Sequence, residues 1–166
     1  YFWDTATGKV TQTTQLTEDR NHAALSPDGK LFACHSVDNE NDVVVEKISK
    51  SKKVYLKIDG RKLTKILFTR NSKYLLILSY GFPEPKVYDS VPQLAIYDTE
   101  NNFKKIAKVN IDGGESSCDE VVVSPDGKYV AVGDENGKVW VMDFPTLENC
   151  QSIIKNGAGG RIRDGQ

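Results

Sequence analysis

Ser124-Pro125-Asp126-Gly127-Lys128-Tyr129-Val130-Ala131 is the stretch that decides how this chain folds. Val122-Val123 precedes it, so an apolar run enters the polar tetrad and another leaves it. Proline presets φ, aspartate caps its own backbone and glycine accepts positive φ, which makes the tetrad a tight turn between two strands. Ala24-Leu25-Ser26-Pro27-Asp28-Gly29-Lys30-Leu31-Phe32-Ala33 carries the same turn, and Leu67-Phe68-Thr69-Arg70-Asn71-Ser72-Lys73-Tyr74-Leu75-Leu76 carries a less stringent version. Each segment is a hairpin signal with a physical cause.

A second element recurs behind each hairpin. Trp3-Asp4, Tyr97-Asp98 and Met142-Asp143 each close an alternating strand with a large residue and an aspartate, ahead of a polar turn. The copy at Val43-Val44-Val45-Glu46-Lys47-Ile48 has lost both. Ser26 and Thr69 are 43 residues apart, and Tyr97 and Met142 are 45 apart. Thr69 and Ser124 are 55 apart, which marks an insertion of about ten residues between them. Four short strands per period, turns every ~8–12 residues and no amphipathic helix define an all-β repeat. The competing reading is a β-sandwich with coincidental turns, but a sandwich does not repeat Ser-Pro-Asp-Gly-Lys in phase with an aromatic-Asp pair.

Ser124 to Gly133, Asn136-Gly137-Lys138-Val139-Trp140-Val141-Met142-Asp143 and Phe2-Trp3-Asp4-Thr5-Ala6-Thr7-Gly8-Lys9 resemble the second half of a WD40 repeat. The spacing agrees, since such blades repeat every ~40–45 residues. The resemblance implies an all-β β-propeller of four-stranded antiparallel blades, and a scaffolding role. The sequence also departs from the pattern. Asp59-Gly60 and Gly113-Gly114 stand where a Gly-His pair is usual, Asn136 stands where an aspartate is usual, and only Trp3 fills the tryptophan position. The His/Ser/Asp/Trp network of such blades cannot be complete, and a lactonase-like or peptidase-associated propeller is the alternative within the architecture. The expected layout is the tail of one blade at 1–16 and blades at about 20–58, 62–111 and 117–155, with a Gly/Arg-rich end at 156–166. That makes about three and a half blades, so the remaining blades of a larger propeller are expected, because each blade buries its faces only against neighbours.

Composition fits this reading. Hydrophobic residues make up 39% and charged residues 27%, as in an ordinary globular domain. No run of ~18 apolar residues is present, so no transmembrane helix is expected. The start at Tyr1-Phe2-Trp3-Asp4 has neither an initiator methionine nor a signal pattern and reads as a cut into a longer chain. Cys34, Cys118 and Cys150 are odd in number and widely spaced, which speaks against a disulfide framework and a zinc site. With no glycosylation sequon, the expected location is intracellular, cytoplasmic or nuclear, with the thiols mostly used in packing.

Candidate chemistry is sparse. His22 and His35 have no acidic or cysteine partner at ligand spacing, so neither a metal site nor a Ser/His/Asp triad is expected. Asp38-Asn39-Glu40-Asn41-Asp42 opens like a calcium loop, but Val43 stands where glycine is required and Ser49 where glutamate is required. Phosphate-cradling motifs are missing, and Gly157-Ala158-Gly159-Gly160 is too bare to be one. The expectation is therefore no cofactor and no enzyme activity in this chain, with a non-catalytic portion of a larger enzyme as one alternative.

Two local features point to partners. Lys47 to Lys73 holds ten Lys/Arg and one acid, Asp59, while residues 1–46 sum to −5 and 74–148 to −7. Lys47, Lys50, Lys52, Lys53, Lys57, Arg61 and Lys62 form the candidate basic patch, able to hold RNA, another anionic surface or an acidic protein. The competing reading is an outer strand whose lysines discourage edge-to-edge pairing. The insertion from Gly81 to Pro92, expected between the second and third strands of its blade, carries Phe82, Pro83, Pro85 and Tyr88 as candidate protein-binding residues. Loops held on a rigid scaffold are where binding residues gather. The leading functional expectation is a non-catalytic protein-interaction scaffold in an intracellular multiprotein assembly, with a ribonucleoprotein or nucleic-acid-associated propeller as the alternative.

Overall fold

The computed structural model describes residues 2–4, 6–12, 22–36, 42–50, 52–58, 62–81, 91–111 and 118–154. Strands β1 (Phe2–Trp3) and β2 (Val10–Gln12) pair antiparallel. Three four-stranded antiparallel blades follow. The first is β3 (Ala23–Leu25), β4 (Leu31–His35), β5 (Asp42–Lys47) and β6 (Lys52–Lys57). The second is β7 (Lys62–Phe68), β8 (Tyr74–Gly81), β9 (Val91–Asp98) and β10 (Lys104–Asn110). The third is β11 (Cys118–Val123), β12 (Tyr129–Asp134), β13 (Lys138–Asp143) and β14 (Gln151–Ile154). Within each blade the strands lie in chain order, and β7 touches both β3 and β11, so the first strand of each blade is innermost. No described helix is long and apolar enough to cross a membrane.

The three hairpin turns share one wiring. Ser26 Oγ donates to Asp28 Oδ1 at 2.6 Å and accepts from the Leu31 amide at 2.9 Å, while the Lys30 amide donates to the same Asp28 oxygen at 3.2 Å. Ser124 and Asp126 repeat this with the amides of Tyr129 and Lys128. In the second blade Thr69 and Asn71 take the same places, at 2.7 Å between the side chains. Gly29 and Gly127 sit at φ +69, and Ser72 occupies the equivalent position at φ +60. A residue other than glycine pays a cost there, and the contact Ser72 gains is to the neighbouring blade. Its Oγ accepts from the Asp28 amide at 3.1 Å.

The end of each third strand docks on its hairpin turn. The amides of Ile48, Thr99 and Phe144 donate to the carbonyls of Lys30, Lys73 and Lys128. Asp4 and Asp98 then cap the following turns, each accepting two backbone amides through Oδ1. Asp143 instead accepts from the Asn149 side chain at 2.6 Å, ahead of Phe144-Pro145.

Burial follows strand alternation. Val43, Val45 and Leu56 of the first blade pack against Leu63, Phe68, Leu75, Ile77 and Tyr97 of the second. Leu76, Leu78, Leu94 and Ile96 emerge on the opposite face of the second blade and meet Val130, Val132, Trp140 and Met142 of the third. The middle blade is therefore apolar on both faces, and its strand β8 reads as an unbroken apolar run, Leu75-Leu76-Ile77-Leu78. Each fully buried side chain of this size contributes ~1.5–3 kcal/mol.

Candidate interaction surfaces

The candidate basic residues stand on several elements. Lys47 ends β5, Lys50 lies in a short 3-10 turn (Ile48–Lys50), and Lys52, Lys53 and Lys57 lie on the outermost strand β6. All five are exposed. Lys53 stands opposite Glu46 and Lys57 opposite Asp42, so two of them have acidic cross-strand neighbours. Lys47 stands opposite Lys52, with Lys50 in the connection between them. That hairpin tip is where like charge concentrates. Lys62 instead starts the innermost strand of the next blade, and Arg61 is outside the described residues. Along β6 the pattern is regular: Lys53, Tyr55 and Lys57 are exposed, while Val54 and Leu56 turn inward.

Phe82, Pro83, Pro85 and Tyr88 all lie outside the described residues, in the connection from β8 to β9. The two strands extend further than the sequence pattern predicts. Gly81 pairs with Val91 and Tyr80 with Pro92, so three residues read as loop are strand. Pro92 lacks a donor, but its carbonyl accepts from the Ile111 amide at 2.8 Å, and a proline near the first residue of a strand costs the ladder little.

A cleft of about 370 Å³ opens where the innermost strands of the three blades meet. His22, Thr64, Lys65, Asp119, Glu120 and Glu135 are among its walls. Lys65 Nζ bridges to both Glu120 oxygens at 3.1 and 3.0 Å, which ties the second blade to the third. Burial, and after it Lys62 and Lys65, push the His22 pKa below its ordinary value, against a smaller opposing pull from Asp119. Asp134, also on the wall, accepts from the amides of Asn136 and Lys138 and so shapes the turn in which Gly137 sits at φ +81. Sequence reasoning missed Asp134 and singled out Asn136. The usable signal was an aspartate directly ahead of Glu-Asn-Gly, the start of an Asx turn.

Cys34 and Cys118 are buried, and burial pushes their thiols up to about 11 and about 12, whereas Cys150 is exposed. Among the described residues no group of three or more His, Cys, Asp or Glu comes together as a metal site.

The chain superposes on solved structures over most of its length. A eukaryotic initiation factor crystal structure matches with a TM-score of 0.61 at 16% identity, over 87% of this chain and 35% of that one. The fold is that of β-propeller blades. Hydrazine synthase of Kuenenia stuttgartiensis matches the propeller with a TM-score of 0.57 at 17% identity, over 73% of this chain and 39% of that one. Among curated proteins, U3 small nucleolar RNA-associated protein 4 of Schizosaccharomyces pombe is 31% identical over 150 residues, which cover 78% of this chain. The propeller portion spans 20% of that relative's length. No family model matches the chain.

Proposed function

We propose that this chain is a divergent WD40-type portion of a larger propeller that serves as a non-catalytic scaffold in an intracellular, nuclear RNA-associated assembly. The similarity to a U3 small nucleolar RNA-associated protein carries this reading. The threefold hairpin wiring supports it, because rigid, self-capped blades hold their turns as fixed docking surfaces. The blade layout, with additional blades closing the ring, belongs to the same proposal. So does a protein-binding role for the β8–β9 connection with Phe82, Pro83, Pro85 and Tyr88. The test is affinity purification of the tagged full protein under native salt. A defined set of stoichiometric protein partners is the expected result, and a monodisperse monomer without partners overturns it.

A second reading rests on the hairpin tip, where Lys47, Lys50 and Lys52 gather. Three exposed cations at one corner suit a phosphate backbone, and neutralising Z phosphates gives a salt dependence that scales with Z. Replacing the three by glutamine should reduce the salt slope of RNA binding by about two to three. An unchanged slope removes the tip from any RNA contact.

A further inference from the structure

The turn from β12 to β13 is Asp134-Glu135-Asn136-Gly137-Lys138. Asp134 Oδ1 holds it by accepting from the amides of Asn136 at 2.9 Å and Lys138 at 2.8 Å. Gly137 sits at φ +81, a conformation that favours glycine, so the turn itself dictates glycine after asparagine. That order has a chemical consequence. With no side chain on the following residue, its backbone nitrogen can reach the asparagine Cγ and close a succinimide ring.

Asn136 differs from the other described asparagines. Asn71 Oδ1 accepts from Thr69 Oγ1 and the Lys73 amide, Asn110 Oδ1 accepts from Gln93, and Asn149 Nδ2 donates to Asp143. Asn101 and Asn102 are followed by Asn and Phe, whose side chains crowd the attacking nitrogen. Asn136 is exposed, and its side chain makes no hydrogen bond among the described residues. The nucleophile is also accessible. The Gly137 amide donates to the Asp134 carbonyl at 3.2 Å, against 2.9 and 2.8 Å for the Gly29 and Gly127 amides in their turns. Nothing lies within 4 Å of the point where a side chain on Gly137 would begin.

We propose that Asn136 is a site of spontaneous deamidation, which converts this turn to an aspartyl or isoaspartyl form. The Gly137 nitrogen attacks Asn136 Cγ and gives up its proton. The N–Cγ bond forms, the Cγ–Nδ2 bond breaks, and ammonia leaves with that proton. Water then opens the succinimide. Attack at Cγ gives aspartate, and attack at the main-chain carbonyl gives isoaspartate; no oxidant or reductant takes part. Either product adds a carboxylate beside Asp134 and Glu135, on the wall of the cleft that also holds Asp119 and Glu120. The isoaspartyl form also lengthens the main chain by one methylene, inside the loop that Asp134 closes. This chemistry is independent of the scaffold reading.

The test is to age the full chain at neutral pH in water enriched in heavy oxygen and to map the label after trypsin digestion. Asn136 falls in the peptide from Tyr129 to Lys138, apart from Asn156-Gly157. Heavy oxygen should enter Asn136 at least about tenfold faster than Asn71, Asn110 or Asn149. Part of the product should accept a methyl group from S-adenosylmethionine through an isoaspartyl methyltransferase. The folded rate should stay within about tenfold of the rate in urea, and Gly137→Ala should lower the rate at least about tenfold in urea, where folding plays no part. Label spread evenly over the asparagines, a product without isoaspartate, or an unchanged rate in Gly137→Ala overturns the proposal. So does a folded protein that stays unlabelled at Asn136 while the urea-unfolded chain reacts, which would show that the turn protects the site.

Discussion

The amide of Asp28 donates to the hydroxyl of Ser72 across 44 residues of chain at 3.1 Å, and both belong to hairpin turns. Ser72 holds this position with φ at +60, where glycine serves in the other two turns. The seam therefore gains a hydrogen bond at the expense of backbone strain, and the two effects can be separated by substitution. Ser72→Ala keeps the strain and loses the bond, so it should destabilise by ~1 kcal/mol. Ser72→Gly loses the bond but relieves ~1 kcal/mol or more of left-handed strain, so it should be close to neutral. Urea denaturation of the two variants checks the order; alanine as stable as the wild type would show that the hydroxyl contributes nothing, and alanine as stable as glycine that there is no strain to relieve.

Leu75 and Leu76 are neighbours on β8 and both fully buried, yet they serve different seams. Each change to alanine should cost ~2–5 kcal/mol. The losses should separate in space, because in stacked repeats coupling runs between nearest neighbours. Amide hydrogen exchange should quicken in the first blade for Leu75→Ala and in the third for Leu76→Ala.

Lys65 and Glu120 join the innermost strands of the second and third blades with side chains 31% and 30% exposed. At that exposure a double-mutant cycle should return a coupling of ~0.5–1 kcal/mol that shrinks in high salt. Lys65→Gln also removes a positive neighbour of His22 and leaves Glu120 unpaired nearby. Both effects favour the charged imidazole, so the His22 midpoint, followed by its ring NMR signals, should rise towards 6.5.

The turns predict a contrast in acid. Hydrogen bonding by Ser26 holds the Asp28 carboxyl below its ordinary 3.8, and Ser124 does the same for Asp126. The sign follows from the lowered values. The stabilisation is complete above pH 3.8 and is lost as pH falls through the lower folded-state value. Asn71, in the third copy of the turn, cannot titrate. The amide shifts of Lys30 and Lys128 should therefore move in acid, while that of Lys73 stays comparatively still.

What was readable in the sequence is what is local. Ser-Pro-Asp-Gly and the aromatic-Asp pair encode turns whose partners lie within a few residues, and those hydrogen bonds form as the residue chemistry requires. The basic stretch is distributed for the opposite reason. It is continuous in sequence, but between Lys57 and Lys62 the chain passes from the outermost strand of one blade to the innermost strand of the next. Lys65 consequently meets Glu120, 55 residues away, and Arg70 and Lys73 stand in the turn between β7 and β8. The contrast between Ser72 and Gly127 was visible as a letter, but its meaning depends on which turns face one another.

The apolar run in β8 carries a restriction of parity. Odd and even positions of the strand belong to different neighbours, so inserting or deleting one residue would exchange both allegiances at once and present each seam with the wrong set of side chains. Length changes there are admissible in twos, whereas at the strand's ends, beyond the paired residues, they are free of that rule.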